Sequence, residues 1–142
     1  MSISKKRKVS RKGLITKLDT IFSKYIRLYH YNAEAGYVEC VTCKTKKLSI
    51  KDIHNGHFMS RRYYPTRWEE DNCRPQCASC NTYNQGRQYL FSLHLGAELA
   101  YEVYKKSRIR KAYTNEELEA LVDYYKQALD LLVTVKFKGI IP

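Results

Sequence analysis

The chain has 142 residues, with 26 Lys or Arg against 14 Asp or Glu and a formal net charge of +12. That length sets one compact domain with room for a helical extension, and the charge points to a polyanionic partner, nucleic acid before membrane surface. No stretch approaches the roughly 18 apolar residues of a spanning helix, and the N-terminus lacks the apolar core of a signal peptide, so a cytoplasmic protein without a membrane partner is expected. Five cysteines, four of them in C-x-x-C pairs, suit a reducing compartment where thiols hold metal rather than form disulfides.

Residues 1–12 (MSISKKRKVSRK) read as a basic tail with almost nothing to bury, disordered until it meets a phosphate backbone. The string KKRKV inside it is similar to a nuclear localisation signal, a pattern that short basic runs also produce by chance. Within the next unit, 13–35, Leu14, Leu18, Ile21, Phe22, Tyr25, Ile26 and Tyr29 recur at helical spacing, with Lys17, Lys24 and Arg27 on the other face. This is an amphipathic helix over 13–31 with one packed side and one solvated side.

The third unit, 36–95, opens with loose alternation from Tyr37 to Lys51 around a turn at Lys44–Lys47, which predicts a short hairpin with a knuckle at the first cysteine pair. Asn55-Gly56 marks a tight turn or a close backbone approach. Arg61 to Asp71, with Pro65, reads as an irregular loop, and a short helix is expected after Cys80, running through Asn81. The last unit, 96–142, holds two helices. The second begins at Thr114-Asn115-Glu116-Glu117, a capping box, and carries the stripe Leu118, Leu121, Val122, Tyr125, Leu129 and Leu132. The fold class is α+β, mainly α.

Cys40-x-x-Cys43 and Cys77-x-x-Cys80 stand 33 residues apart. Two such pairs supply four thiolates for a tetrahedral Zn²⁺, and a closed four-sulfur site leaves no open position, so the expected zinc is structural. A redox dithiol and two unrelated pairs are the competing readings. Cys73, with three residues between it and Cys77, fits a knuckle poorly and reads as a buried bystander.

Between and just after the pairs lie His54-Asn55-Gly56-His57-Phe58-Met59-Ser60-Arg61-Arg62, then Asp71-Asn72-Cys73-Arg74-Pro75-Gln76-Cys77, then Cys80-Asn81. Phosphodiester hydrolysis needs a base for water and a cation for charge on the phosphate and leaving oxygen. Neutral histidine suits the first task, and oxygen donors such as the Asn81 amide suit Mg²⁺ or Mn²⁺. The zinc knuckles would bring His57 and Asn81 together.

The order C-x-x-C, GH, EDN, C-x-x-CN resembles an HNH, or ββα-metal, nuclease. In finer detail GHF-x-SR followed by RW-x-EDN-x-x-PQC-x-x-CN and Gly86 resembles the phage NinG (Rap) recombination family, densely over 38–90 and weakly through the C-terminal helices. The resemblance implies a zinc-stapled ββα-metal core between flanking helices, in a bacterial or phage-encoded endonuclease acting on branched intermediates such as Holliday junctions or D-loops. It implies that His57 is the general base, that Asn72 holds the loop through backbone hydrogen bonds, and that Asn81 ligates the catalytic metal. Family sequences often show Asp where this chain has His54. The second ligand is therefore assigned to His54, with Asp52 behind it, and His57 itself a third option.

Arg61, Arg62, Arg67, Arg74 and Arg87 are the expected DNA contacts, reinforced by Lys44, Lys46, Lys47 and Lys51. Trp68 could stack on a base, but a core role is preferred, and His30 and His94 lie outside the constellation. No recognition helix is legible, which favours DNA shape over sequence. Two further readings stand beside the junction nuclease: a non-catalytic zinc-stapled DNA-binding module, and an HNH enzyme of the homing or restriction type. The Leu- and Tyr-rich C-terminal helices offer a surface for a homodimer.

Overall fold

The computed structural model describes residues 7–142. Helix α1 (Arg11–Tyr29) opens where Ser10 Oγ accepts the Gly13 N–H, so it starts two residues ahead of the expected boundary. Arg11 and Lys12 thus belong to the helix, and the first half of the expected tail lies outside the described residues. Leu14, Leu18, Phe22 and Ile26 form the buried stripe. Tyr29, expected in it, is 51% exposed; Leu28 turns inward in its place. The cause is a second core at that end, where Leu28 packs with Tyr31, Val38 and Ile50.

Helix α5 (Asn115–Phe137) runs beside α1 in the same direction. Arg11 reaches the Tyr113 carbonyl at one end, and Lys136 Nζ donates to the Leu28 and Tyr29 carbonyls at the other. That lysine places its charge at the negative end of α1, adding to the Leu28 carbonyl, which also accepts the Tyr31 N–H, and bonding the Tyr29 carbonyl. The expected capping box is present: Glu117 N–H donates to Thr114 Oγ1, and Thr114 N–H to Glu117 Oε2. Leu118, Val122 and Tyr125 are buried against α1, with Leu121, Leu129 and Leu132 partly covered.

In the chain between these two helices come two two-stranded antiparallel sheets. Strands β1 (Val38–Glu39) and β2 (Lys46–Lys47) form the first hairpin, as the alternation predicts. Strands β3 (His54–His57) and β4 (Cys73–Gln76) form the second, pairing His54 with Gln76 and His57 with Cys73. Gly56 lies within β3 and makes a close approach: a Cβ there would sit 2.5 Å from Gln76 Oε1. The segment expected as irregular loop contains a helical turn, α2 (Tyr64–Arg67), with Pro65 in its first turn, where its fixed φ favours the helix. Beyond β4 the chain makes a π-helical turn over Ser79–Tyr83, a 3₁₀ turn over Gln85–Arg87, then α3 (Gln88–Leu95) and α4 (Ala97–Ser107).

The fold is thus mixed, mostly helical, with two small sheets. No helix among the described residues is long and apolar enough to cross a membrane.

Candidate metal centre and adjoining cleft

Cys40 follows β1, Cys43 lies in the hairpin turn, Cys77 follows β4 and Cys80 lies in the π-helical turn. All four Sγ atoms fall within 4.8 Å of one another, with Cys43 and Cys77 at 3.6 Å. Tetrahedral Zn–S bonds of ~2.3 Å put sulfurs roughly 3.8 Å apart, so the donor set fits a structural ion such as zinc. Burial pushes the Cys40 thiol up, but the N–H groups of Cys43 and Cys77 and the Thr42 side chain outweigh it and hold it down at about 6. The N–H of Cys80 gives Cys77 the same kind of support, yet burial dominates there and pushes that thiol up to about 12. Backbone N–H groups aimed from position i+3 onto the sulfur of position i stabilise thiolate, the form a cation needs. Cys73 is fully buried beside Trp68 and Phe22, and burial raises its thiol far above the usual range, so it stays a protonated core residue. Among the described residues, no other group of three or more Cys, His, Asp or Glu converges as these four cysteines do.

Next to this cluster, α1, β3 and the π-helical turn enclose a cleft of about 690 Å³. His54, His57 and Asn81 all line it, and so do Arg27, Lys51 and Arg61. His57 ends β3, and its Nε2–H donates to the Arg67 carbonyl at 2.9 Å. A carbonyl can only accept, so this bond fixes the tautomer with the lone pair on Nδ1. Burial lowers the His57 pKa, against the opposing pull of the carbonyl, so the ring is neutral near pH 7. Asn81 Nδ2–H donates to His54 Nδ1 at 3.2 Å, which places these two side chains in direct contact across the cleft.

Asn72 is fully buried and does not face the cleft. Its Oδ1 accepts the Met59 N–H at 2.7 Å, and its Nδ2 donates to the Met59 and Thr66 carbonyls. It ties the end of β3 to α2 and has no amide group left for substrate. Asp52 is exposed and absent from the cleft lining.

The five expected arginine contacts divide. Arg61 lines the cleft and Arg62 faces a neighbouring groove, both exposed. Arg87 is exposed in a left-handed conformation before α3. Arg67 and Arg74 are engaged with the protein itself. Arg67 pairs with both oxygens of Asp19, at 3.1 and 2.6 Å, and Arg74 donates to the Glu70 and Cys73 carbonyls. Arg27, expected on a solvated face, is half-buried, donates to the Ile50 carbonyl at 2.6 Å and borders the cleft.

Sequence reasoning missed Asp19. This carboxylate borders the cleft, holds the Arg67 guanidinium and accepts Trp68 Nε1–H at 2.9 Å. Its partners lie 48 and 49 residues away, so no spacing motif could expose it. Trp68 itself is buried, as its core reading requires.

Fold and site together describe a basic, mostly helical protein with two hairpins pinned at a four-cysteine centre and a histidine-lined cleft beside it. Over residues 2–134 the sequence matches the family model described as bacteriophage lambda NinG protein, and the chain belongs to the NinG family. No curated protein and no solved structure matches it.

Proposed function

We propose that this protein is a divalent-metal-dependent endonuclease of the HNH type that hydrolyses phosphodiester bonds in branched DNA recombination intermediates. The observation that carries this reading is one cleft holding a neutral, oriented histidine, the Asn81–His54 pair and a basic rim. His57 Nδ1 has no hydrogen-bond partner among the described residues and is free to accept a proton from water attacking phosphorus. The Arg67 carbonyl keeps the ring in the required tautomer and steadies the imidazolium that results. Arg61, Lys51 and Arg27 offer positive charge along the path of the strand.

The Asn81 amide oxygen, brought round by a half-turn of the amide, and His54 Nδ1 would hold the Mg²⁺ or Mn²⁺. One amide oxygen and one imidazole suit an ion that keeps several waters. Asn55 also borders the cleft, and its buried Oδ1 has no hydrogen-bond partner among the described residues, an acceptor suited to an ordered water of such a site. When bound, the cation supplies charge stabilisation at the phosphate and leaving oxygen.

A second reading draws on Asp19: among the described residues it is the one carboxylate lining the cleft, and both its oxygens are engaged by Arg67 and Trp68. A cleft without a free carboxylate fits a non-catalytic zinc-stapled DNA-binding module. Incubation with a labelled four-way junction and Mg²⁺ or Mn²⁺ separates the two. Nicking supports the nuclease, while tight binding without nicking in either metal supports the module. A linear duplex of random sequence, cut more slowly than the junction, would set the homing or restriction type aside.

A further inference from the structure

A second groove, of about 390 Å³, begins where the cleft ends: Ser60 and Gln88 line both. Its walls are basic and aromatic. Arg108, just past α4, lies 4.7 Å from the Tyr63 ring centre and 4.8 Å from that of Tyr104, and its Nη1 donates to Tyr63 Oη at 3.1 Å. Arg62 covers the Tyr63 ring at 5.2 Å. Tyr104 is 44% exposed, and Tyr101, one turn earlier on α4, is 59% exposed with its ring nearly parallel, 6.4 Å away.

Packing alone does not account for this arrangement. Among the described residues neither Arg62 nor Arg108 has an acidic partner, whereas neighbouring Lys105 is paired with Glu102 and Lys106 with Glu69. Two unneutralised guanidinium groups are held against tyrosine rings, Arg62 and Arg108 against the partly buried Tyr63 and Arg108 also against Tyr104, which stays 44% exposed. Planar cations fixed in this way lose little freedom on meeting a phosphate, and an open tyrosine face accepts any base.

We infer that this groove binds an unpaired nucleotide of the strand whose phosphate occupies the cleft, with Tyr104 as the stacking face and Arg62 and Arg108 as phosphate contacts. The inference rests on the DNA reading above and deepens it. Bases in a continuous duplex are stacked on one another and cannot reach Tyr104, whereas a single or displaced strand, or a branch point opened at its centre, presents free ones. The groove therefore supplies a preference for DNA with unpaired bases and none for sequence.

The test titrates the full chain, without added divalent cation, into a single-stranded oligonucleotide carrying 2-aminopurine and into a blunt duplex of the same sequence. The wild type is expected to bind the single strand with a fluorescence change reporting stacking. Tyr104→Ala is expected to weaken that binding about 10-fold and remove the fluorescence change, with duplex affinity unchanged. Tyr104→Phe, which keeps the ring, is expected to behave as wild type and controls for folding. Wild-type affinity of Tyr104→Ala for the single strand, or an equal loss on both DNAs, overturns the stacking site and leaves the DNA reading standing. A wild-type protein that binds neither DNA overturns both.

Discussion

At the scale of single residues, the cleft is organised by what holds His57. Its Nε2–H is committed to the Arg67 carbonyl, and Arg67 is anchored in turn by the Asp19 carboxylate. His57→Ala is expected to reduce junction nicking by about 10²- to 10⁴-fold with zinc content unchanged, read by gel assay and metal analysis. Asp19→Asn is expected to slow nicking by a smaller factor, because Asp19 acts through Arg67 rather than on substrate. Its effect should fall on kcat more than on KM. The pH profile follows from burial at His57. Protonation destroys the base, so the rate rises with pH through the His57 pKa. Because that pKa is lowered, the acid limb should lie below the usual histidine value of 6.5. A limb at or above that value would remove His57 from the role. His57 and Asn81 were legible from the order of motif residues, since a short pattern encodes them. Asp19 was not, because its importance arises only when α1 packs against α2 from 48 residues away. Nor could charge alone tell Arg61, which faces the cleft, from Arg67, which faces a carboxylate.

At the scale of elements, the two hairpins bury little apolar surface and meet at the four cysteines. A structural Zn²⁺ site contributes on the order of 10 kcal/mol in small domains, so its loss should unfold this region before the α1–α5 pair. Chelation, or Cys40→Ser, is expected to release zinc and collapse the dispersed amide signals of β1 to β4, with much of the helical circular dichroism retained. Retention of β-sheet dispersion after complete zinc loss would contradict a structural role. Gly56→Ala is expected to destabilise by about 1–3 kcal/mol, measured by denaturant melting, since the new methyl group meets Gln76 across the hairpin. Legibility at this scale followed pattern strength. Helices α1 and α5 declared themselves through long apolar stripes and, for α5, its cap. Helix α3 did not: Tyr89, Leu90, Phe91, Leu93 and Leu95 spread around it and only Phe91 is buried, so no periodic stripe exists to read. The turn at Tyr64–Arg67 was hidden because four residues are too few to show a period, and Pro65 reads equally as loop or first helical turn.

At the scale of the whole molecule, a charge of +12 is expected, under the proposed function, to make phosphate neutralisation the main source of DNA affinity, so that junction binding falls steeply as salt rises. Leu131 and Val135, one turn apart on α5, are 65% and 72% exposed, and with Tyr124 they give the expected homodimer a surface; light scattering of the pure protein tests it. The mixed, mainly helical class was readable from the elements, and the four-cysteine centre from spacing alone. What no pattern could supply was the enclosure of the cleft by α1, which brings Arg27 and Asp19 beside residues of the second hairpin. The most direct test incubates the wild type and His57→Ala, each loaded with zinc, with a four-way junction and Mn²⁺ or Mg²⁺. Nicking by the wild type and its loss in the variant, at equal junction affinity, is the expected result. Binding without nicking by the wild type in both metals, or undiminished nicking by the variant, would contradict a His57-dependent nuclease.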